Sequence, residues 1–154
     1  MITYRKAIKA DAEILAKIRS IFLMEVSDIK SESERREMEI ANKAYFEMAL
    51  ADDSFVAWLA FEDNKIVATS GLSFFMLPPN PKRPDGKEAH IMNMFTLMEY
   101  RKKGLGTELF KKIVEEAKIR DYKKITLNAT DKGKPIYEKY GFKDVEGDMV
   151  LYVE

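Results

Sequence analysis

The segment that most restricts the fold runs from Glu88 to Arg120: a strand-like stretch, a turn holding two glycines, and a long amphipathic helix. Glu88 to Thr96 reads as a strand. From Lys102 to Arg120, Leu105, Leu109, Phe110, Ile113, Val114 and Ala117 recur on one helical face. Between them stands Arg101-Lys102-Lys103-Gly104-Leu105-Gly106, where two absent side chains let backbone N–H groups come close to an anion at the positive end of the helix dipole. Arg101, Lys102 and Lys103 add positive charge, and the arginine suits a charge-assisted hydrogen bond to a phosphate oxygen. The unit reads as a pyrophosphate cradle. A tight turn with no ligand is the plainer reading of a Gly-x-Gly at a helix start, so the motif needs its context.

The flanking pattern supplies that context. Ile2 to Ile8 alternates as an edge strand, and Asp11 can cap a helix with Ile14, Leu15, Ile18, Ile21 and Phe22 inward and Lys17 and Arg19 outside, ending near Glu25. Ser31 or Ser33 can cap a second helix reaching about Ala51, with Met38, Ala41, Ala44, Tyr45 and Met48 as its stripe and the charges from Glu34 to Glu39 facing water. Phe55 to Glu62 and Lys65 to Leu77 form a hairpin through Asp63-Asn64, residues that tolerate positive φ. The segment 78–86 contains four prolines and reads as a long loop. After the long helix come a strand from Lys124 to Ala129, a short helix from Pro135 to Tyr140, and a terminal hairpin of Phe142 to Val145 with Met149 to Val153.

Composition narrows the function. The 154 residues with 46% hydrophobic content suit a single domain, 1–154. The 26 basic and 26 acidic residues cancel, so no global field draws nucleic acid or an anionic membrane. With no cysteine and one histidine, a thiolate nucleophile, a disulfide framework and a His-rich metal centre are all disfavoured, and no metal is expected. The first residues lack a signal-peptide core and no stretch is apolar enough to span a bilayer, so a cytoplasmic protein is expected.

Asn93-Met94-Phe95-Thr96-Leu97-Met98-Glu99-Tyr100 followed by RKKGLG resembles motif A of the GNAT superfamily of N-acetyltransferases. Leu127-Asn128-Ala129-Thr130, then Ile136-Tyr137-Glu138-Lys139-Tyr140-Gly141-Phe142, is similar to motif B of the same family, in the right order. The order of strands and helices fits over essentially the whole chain. The resemblance implies an α/β (α+β) fold: a mixed, mostly antiparallel sheet of six to seven strands, with helices on both faces. The sheet would splay between the fourth strand, Glu88 to Thr96, and the fifth, Lys124 to Ala129. It also implies acetyl-CoA as donor, held at Arg101, Lys102, Lys103, Gly104, Leu105, Gly106 and Thr107. Backbone groups of Met94, Phe95 and Thr96 would pair with the pantetheine amides, the Met94 N–H would hold the developing oxyanion, and Asn128 would touch cofactor or water.

Tyr137 matches the family's general acid, which protonates the departing CoA thiolate, and Tyr140 is assigned to packing. A base must also take the proton of the amine. His90, four residues before Met94 and so expected on the same face, matches the position of the catalytic glutamate of histone-acetylating members; Glu88 is the alternative, and water the third. Glu25 and Asp28, with Phe22, fall where relatives build the acceptor pocket and would favour a cationic amine, while Tyr45, Phe74 and Phe75 line that pocket or belong to the core. A small-molecule amine is the expected acceptor, with a protein N-terminus or lysine, or a non-catalytic acyl-CoA sensor, as alternatives. A homodimer is a further expectation, from the edge strand and terminal hairpin. A Rossmann unit is disfavoured because Leu109 stands where its third glycine belongs, and no P-loop spacing occurs.

Overall fold

In the computed structural model, which describes residues 1–153, the β-branched and aromatic runs pair into one open sheet of six strands. They are β1 (Ile2–Lys6), β2 (Phe55–Val56), β3 (Trp58–Glu62), β4 (Lys65–Met76), β5 (Lys87–Thr96) and β6 (Ile125–Leu127). The order is β1-β3-β4-β5-β6 with β2 on β4, antiparallel throughout except for the parallel pair β5–β6. Helices α1 (Ala12–Val26) and α2 (Glu32–Asp52) cover one face, while α3 (Leu105–Ile119) and α4 (Lys134–Tyr140) cover the other. This is the mixed, mostly antiparallel α/β arrangement expected from the motifs.

The strands expected as fourth and fifth are β5 and β6, because Phe55 to Glu62 divides at Ala57, whose carbonyl accepts from the Ala7 N–H at 2.9 Å. The splay lies between them. Only Ala89, His90 and Ile91 pair with β6, and the rest of β5 keeps β4 alone as neighbour among the described residues.

Within β5 the register against β4 shifts between Thr69 and Gly71, and Asn93 has a φ of 56°. This bulge inserts one residue, so the faces exchange beyond it. Ala89, Ile91 and Met94 pack towards α3, whereas Met92 and Phe95 pack towards α1 and α2. His90 therefore points to the Met92 face, and the expectation that it shares a face with Met94 is corrected: strict alternation fails across the extra residue.

The α3 stripe is as read, with all six named side chains buried. The phases of α1 and α2 differ. Ile14 and Ile21 are exposed in α1, where Ala12, Leu15, Ala16 and Ile18 are buried and Arg19 is half-buried. In α2 the inward positions are Phe46 and Ala49, with Arg35, Glu39, Asn42 and Tyr45 half-buried, while Met38 and Met48 are exposed. Ser31 caps α2 by accepting from the Glu34 N–H at 3.1 Å. Asp11 does not cap α1 with its side chain: its carboxylate takes two hydrogen bonds from Arg5, at 2.7 and 3.0 Å, and one from the Ile8 N–H. The terminal hairpin does not form; among the described residues after Gly141 there is no strand, and Val150 to Val153 are 74–87% exposed. A run apolar on both sides needs cover on both faces, which the chain does not offer it.

Glu116 of α3 ties the helix to β1: its buried carboxylate accepts from Lys6 Nζ at 2.8 Å and from Arg120 at 3.2 Å. Burial alone would raise its pKa, but the hydrogen bonds and charges of Lys6 and Arg120 outweigh burial and hold it below the ordinary value of 4.5. A carboxylate depressed on folding contributes stability above its unfolded pKa and loses it as pH falls through the folded one. Glu116→Gln is expected to destabilise the fold at pH 7 by about 1–3 kcal/mol and to flatten the acid limb of stability below pH ~4.5. Denaturant melts between pH 2 and 7 check this; parallel acid limbs in the two proteins would refute it.

Candidate functional site

The turn before α3 takes its shape from two left-handed residues, Lys102 with φ 62° and Gly104 with φ 82°. It delivers the N–H groups of Leu105, Gly106 and Thr107 in the first helical turn, where no intrahelical acceptor exists. Gly104 is required by its dihedral. Gly106 has no such need, and a β-carbon built on it would meet only Thr96 Oγ1, at 3.9 Å. Nothing in the chain itself demands a glycine there, so the room it leaves faces outwards.

That room belongs to a cavity of about 340 Å³ between the open edge of β5 and the start of α3. Met94, Phe95, Thr96, Arg101, Lys102, Gly104, Leu105, Gly106 and Thr107 all line it, together with Tyr137 from α4. The expected donor residues are thus brought together, with two exceptions. Lys103 lies with its Nζ 5.2 Å over the Tyr100 ring, and Asn128 lines a neighbouring cavity. Arg101 is already engaged: Nε donates to the Thr96 carbonyl at 2.8 Å, and Nη2 reaches both oxygens of Glu25, at 3.1 and 2.8 Å.

The neighbouring cavity, of about 550 Å³, contains Glu88, His90, Thr126 and Asn128. Tyr137 borders both cavities. Its ring packs 5.3 Å from Phe110, and burial raises its pKa above 10.0, so the phenol keeps its proton throughout the neutral range. Tyr140 stands edge-on to Phe110 at 4.9 Å, in the packing role expected of it. His90 Nδ1 lies 2.8 Å from Thr126 Oγ1. With Nδ1–H donating to that hydroxyl, the Nε2 lone pair is free. Burial lowers the His90 pKa from 6.5, partly opposed by the charge of Glu88, so the ring is neutral at pH 7. Glu88 itself is buried and held by Arg83 at 2.8 Å and Lys124 at 3.2 Å.

A third cavity, of about 280 Å³, opens on the other face between α1, α2 and the bulge. Arg19, Asn42, Tyr45, Phe46, Phe55, Met92 and Asn93 line it. Of the residues expected around an acceptor, only Tyr45 is there. Phe22 stacks against Phe95 at 5.5 Å, Glu25 clamps Arg101, and Asp28 is an exposed side chain 3.6 Å from Lys30. Phe74 packs on Tyr122 at 4.6 Å, and Phe75 is 39% exposed. Arg19, Asn42 and Asn93 carried no role in the reading of the sequence. Counting Ala12, Leu15, Ala16 and then Arg19 at helical spacing places the arginine on the inward face, and an asparagine inside an apolar strand is the ordinary mark of a positive-φ bulge.

A family model described as an acetyltransferase (GNAT) domain matches residues 25–150. Glucosamine 6-phosphate N-acetyltransferase of Trypanosoma brucei brucei is 31% identical over 81 residues, 53% of this chain. The chain spans about half the length of that relative, 55%. The crystal structure of a predicted acetyltransferase with acetyl-CoA from Clostridium acetobutylicum superposes with a TM-score of 0.90 at 33% identity, over 99% of this chain and 96% of that one. A GCN5-related N-acetyltransferase from Ralstonia eutropha JMP134 shares the fold, with a TM-score of 0.88 at 23% identity over 99% of each chain. A strand that leaves its parallel neighbour, a glycine-opened helix start facing the gap, and a family match across most of the length place this chain in the GNAT acetyltransferase family.

Proposed function

We propose that residues 1–154 act as one domain that transfers an acetyl group from acetyl-CoA to the primary amine of a small molecule. The observation that carries this is the cavity between the unpaired edge of β5 and the N-terminus of α3, with a glycine at 106 that only an external group explains. The phosphates fit the free N–H groups of Leu105, Gly106 and Thr107, with Lys102 beside them. An extended amide chain fits the open edge of β5 along Met94 to Thr96, which β6 does not cover, as an added strand. Bound acetyl-CoA supplies an activated thioester. The name of the trypanosomal relative and the small volume on the opposite face both favour a small acceptor.

In this reading the Met94 N–H polarises the thioester carbonyl, the amine nitrogen bonds to the acyl carbon, and the carbon–sulfur bond breaks. Tyr137 gives its proton to the sulfur. The amine's proton passes to His90. His90 lies four residue steps before Met94, roughly 13 Å of extended chain, so the proton travels through water. Glu88, engaged by two cations, orders Arg83 and Lys124 and biases the field at His90. The C-terminal residues support a homodimer: β6 has no outer neighbour among the described residues, and Val150 to Val153 are free to pair with one.

Gly106→Trp should fold normally, since its β-carbon enters open space, yet lose most acetyl-CoA affinity in calorimetry; unchanged affinity would remove the cradle. For His90, a base with a depressed pKa stays active until pH falls below about 6.5, so the acid limb of kcat/KM should lie under that value and shift in His90→Gln with CoA affinity preserved. The NMR titration of this single histidine gives the same pKa independently, and a value at or above 6.5 contradicts the burial argument. Tyr137→Phe keeps the ring on Phe110 while removing the proton, so kcat should fall by roughly 10² to 10⁴ with little change in stability, and Tyr140→Phe should be nearly silent. Wild-type turnover by Tyr137→Phe at alkaline pH would assign the proton to solvent.

A further inference from the structure

The cavity on the α1–α2 face holds two side chains whose hydrogen-bonding capacity the protein does not use. Asn93 is 2% exposed, and neither its Oδ1 nor its Nδ2 has a partner among the described residues. An amide left so costs the fold stability, because each buried group has lost water without gaining a partner, and a native chain keeps such a cost for a reason. Arg19 makes one hydrogen bond, from Nε to Asn42 Oδ1 at 3.0 Å, and no carboxylate among the described residues pairs with it. The contrast with Arg35, one helix away, is sharp: that guanidinium contacts Glu32 and Glu39, each at 2.6 Å, as well as Ser20. Among the described residues, no acidic one lines the cavity that Arg19 and Asn93 share. Its apolar lining is Phe46, Phe55 and Met92.

We propose that this cavity recognises an anionic group on the acceptor, so that the substrate is a small amine carrying a carboxylate or a phosphate. The unused Nη groups of Arg19 form a fork that matches either anion in two parallel hydrogen bonds. The Asn93 amide donates to the same group or accepts from a hydroxyl or ammonium beside it. Pairing Arg19 with an anion also neutralises a half-buried charge that has no counter-ion among the described residues. Position fits the chemistry. Asn93 adjoins Met94 on the chain, yet the bulge turns Asn93 to the α1–α2 face while Met94 lines the donor cavity. An acceptor anchored by its anion on one face therefore presents its amine at the gap from the side opposite the donor. A volume of about 280 Å³ lies at the small end of ligand sites, as befits a compact acceptor.

This inference rests on the acetyltransferase reading, and its test separates the two. Calorimetry on protein saturated with CoA, where no turnover occurs, compares glucosamine 6-phosphate with glucosamine and lysine with cadaverine. CoA binding in the first titration checks the donor site alone. At least one anion-bearing amine is expected to bind about tenfold or more tighter than its counterpart without the anion, and the pair that shows it tells phosphate from carboxylate. Arg19→Gln should abolish that preference while leaving CoA affinity and the binding of glucosamine and cadaverine unchanged, and Arg19→Lys should restore part of it. The proposal is overturned if CoA binds but neither anion-bearing amine is preferred, or if Arg19→Gln weakens the amines with and without the anion alike.

Discussion

One extra residue in β5 organises the rest of the molecule. Asn93 takes a left-handed conformation in mid-strand, a strain of about 1–3 kcal/mol for a residue with a side chain, and its carbonyl is held in the buried interior by the Thr69 hydroxyl at 2.8 Å. Immediately past it the Leu97 N–H returns to the Val67 carbonyl at 3.0 Å, so β5 stays on β4. What it gives up is its other neighbour, β6, from Met92 onwards. The opened edge is thus a consequence of a strand pinned on one side while its alternation is shifted by a single position.

The same residue divides the site between two faces. Before the bulge, Ala89 and Ile91 serve the α3 core; after it, Met94 does, and Phe95 turns to α1. In the proposed reaction this arrangement lets donor and acceptor reach one point of backbone from opposite sides without competing for space. The ion pair of Arg101 with Glu25 links the end of α1 to the turn before α3, so the helix beside the proposed acceptor cavity and the helix that begins the proposed cradle are joined directly. Arg101, which also lines the donor cavity, serves as a strut in this structure, and on the proposed reading the N–H groups of the turn and Lys102 meet the phosphates.

How far the sequence could be read depended on whether polarity and burial agreed. In α3 they agree: Leu105, Leu109, Phe110, Ile113, Val114 and Ala117 are apolar and buried, so the stripe, the turn before it and the motif it carries were all legible. In α1 and α2 they disagree. Arg19, Arg35, Glu39 and Asn42 lie on the inward side while Ile14, Ile21, Met38 and Met48 face out, so a stripe traced through apolar residues found Leu15, Ile18, Phe22 and Tyr45 but drew the others in wrongly and set Arg19 outside. The bulge was hidden for a related reason. Period two through His90, Met92 and Met94 is an attractive pattern, and only the polarity of Asn93 within it marks the break. The terminal hairpin failed because propensity alone does not seat a strand: Met149 to Val153 has the composition of one, yet it stays exposed and unpaired while the outer edge of β6 is open among the described residues.

These disagreements fall where a site needs them. A core built for stability alone would fill the space between α1, α2 and β5 with side chains like those around Leu15, Phe46 and Phe55, and would not leave an amide without partners or a guanidinium without a counter-charge among the described residues. On the proposed reading the donor side asks less of polar side chains, because backbone N–H groups and the absence of a β-carbon at Gly106 meet the phosphates there. Backbone recognition of a donor can persist through wide change in sequence, whereas recognition by Arg19, Asn42 and Asn93 changes with any one of them. On the proposed reading, then, the fold and the turn fix what is transferred, and the three polar residues that the apolar stripes pass over fix what receives it.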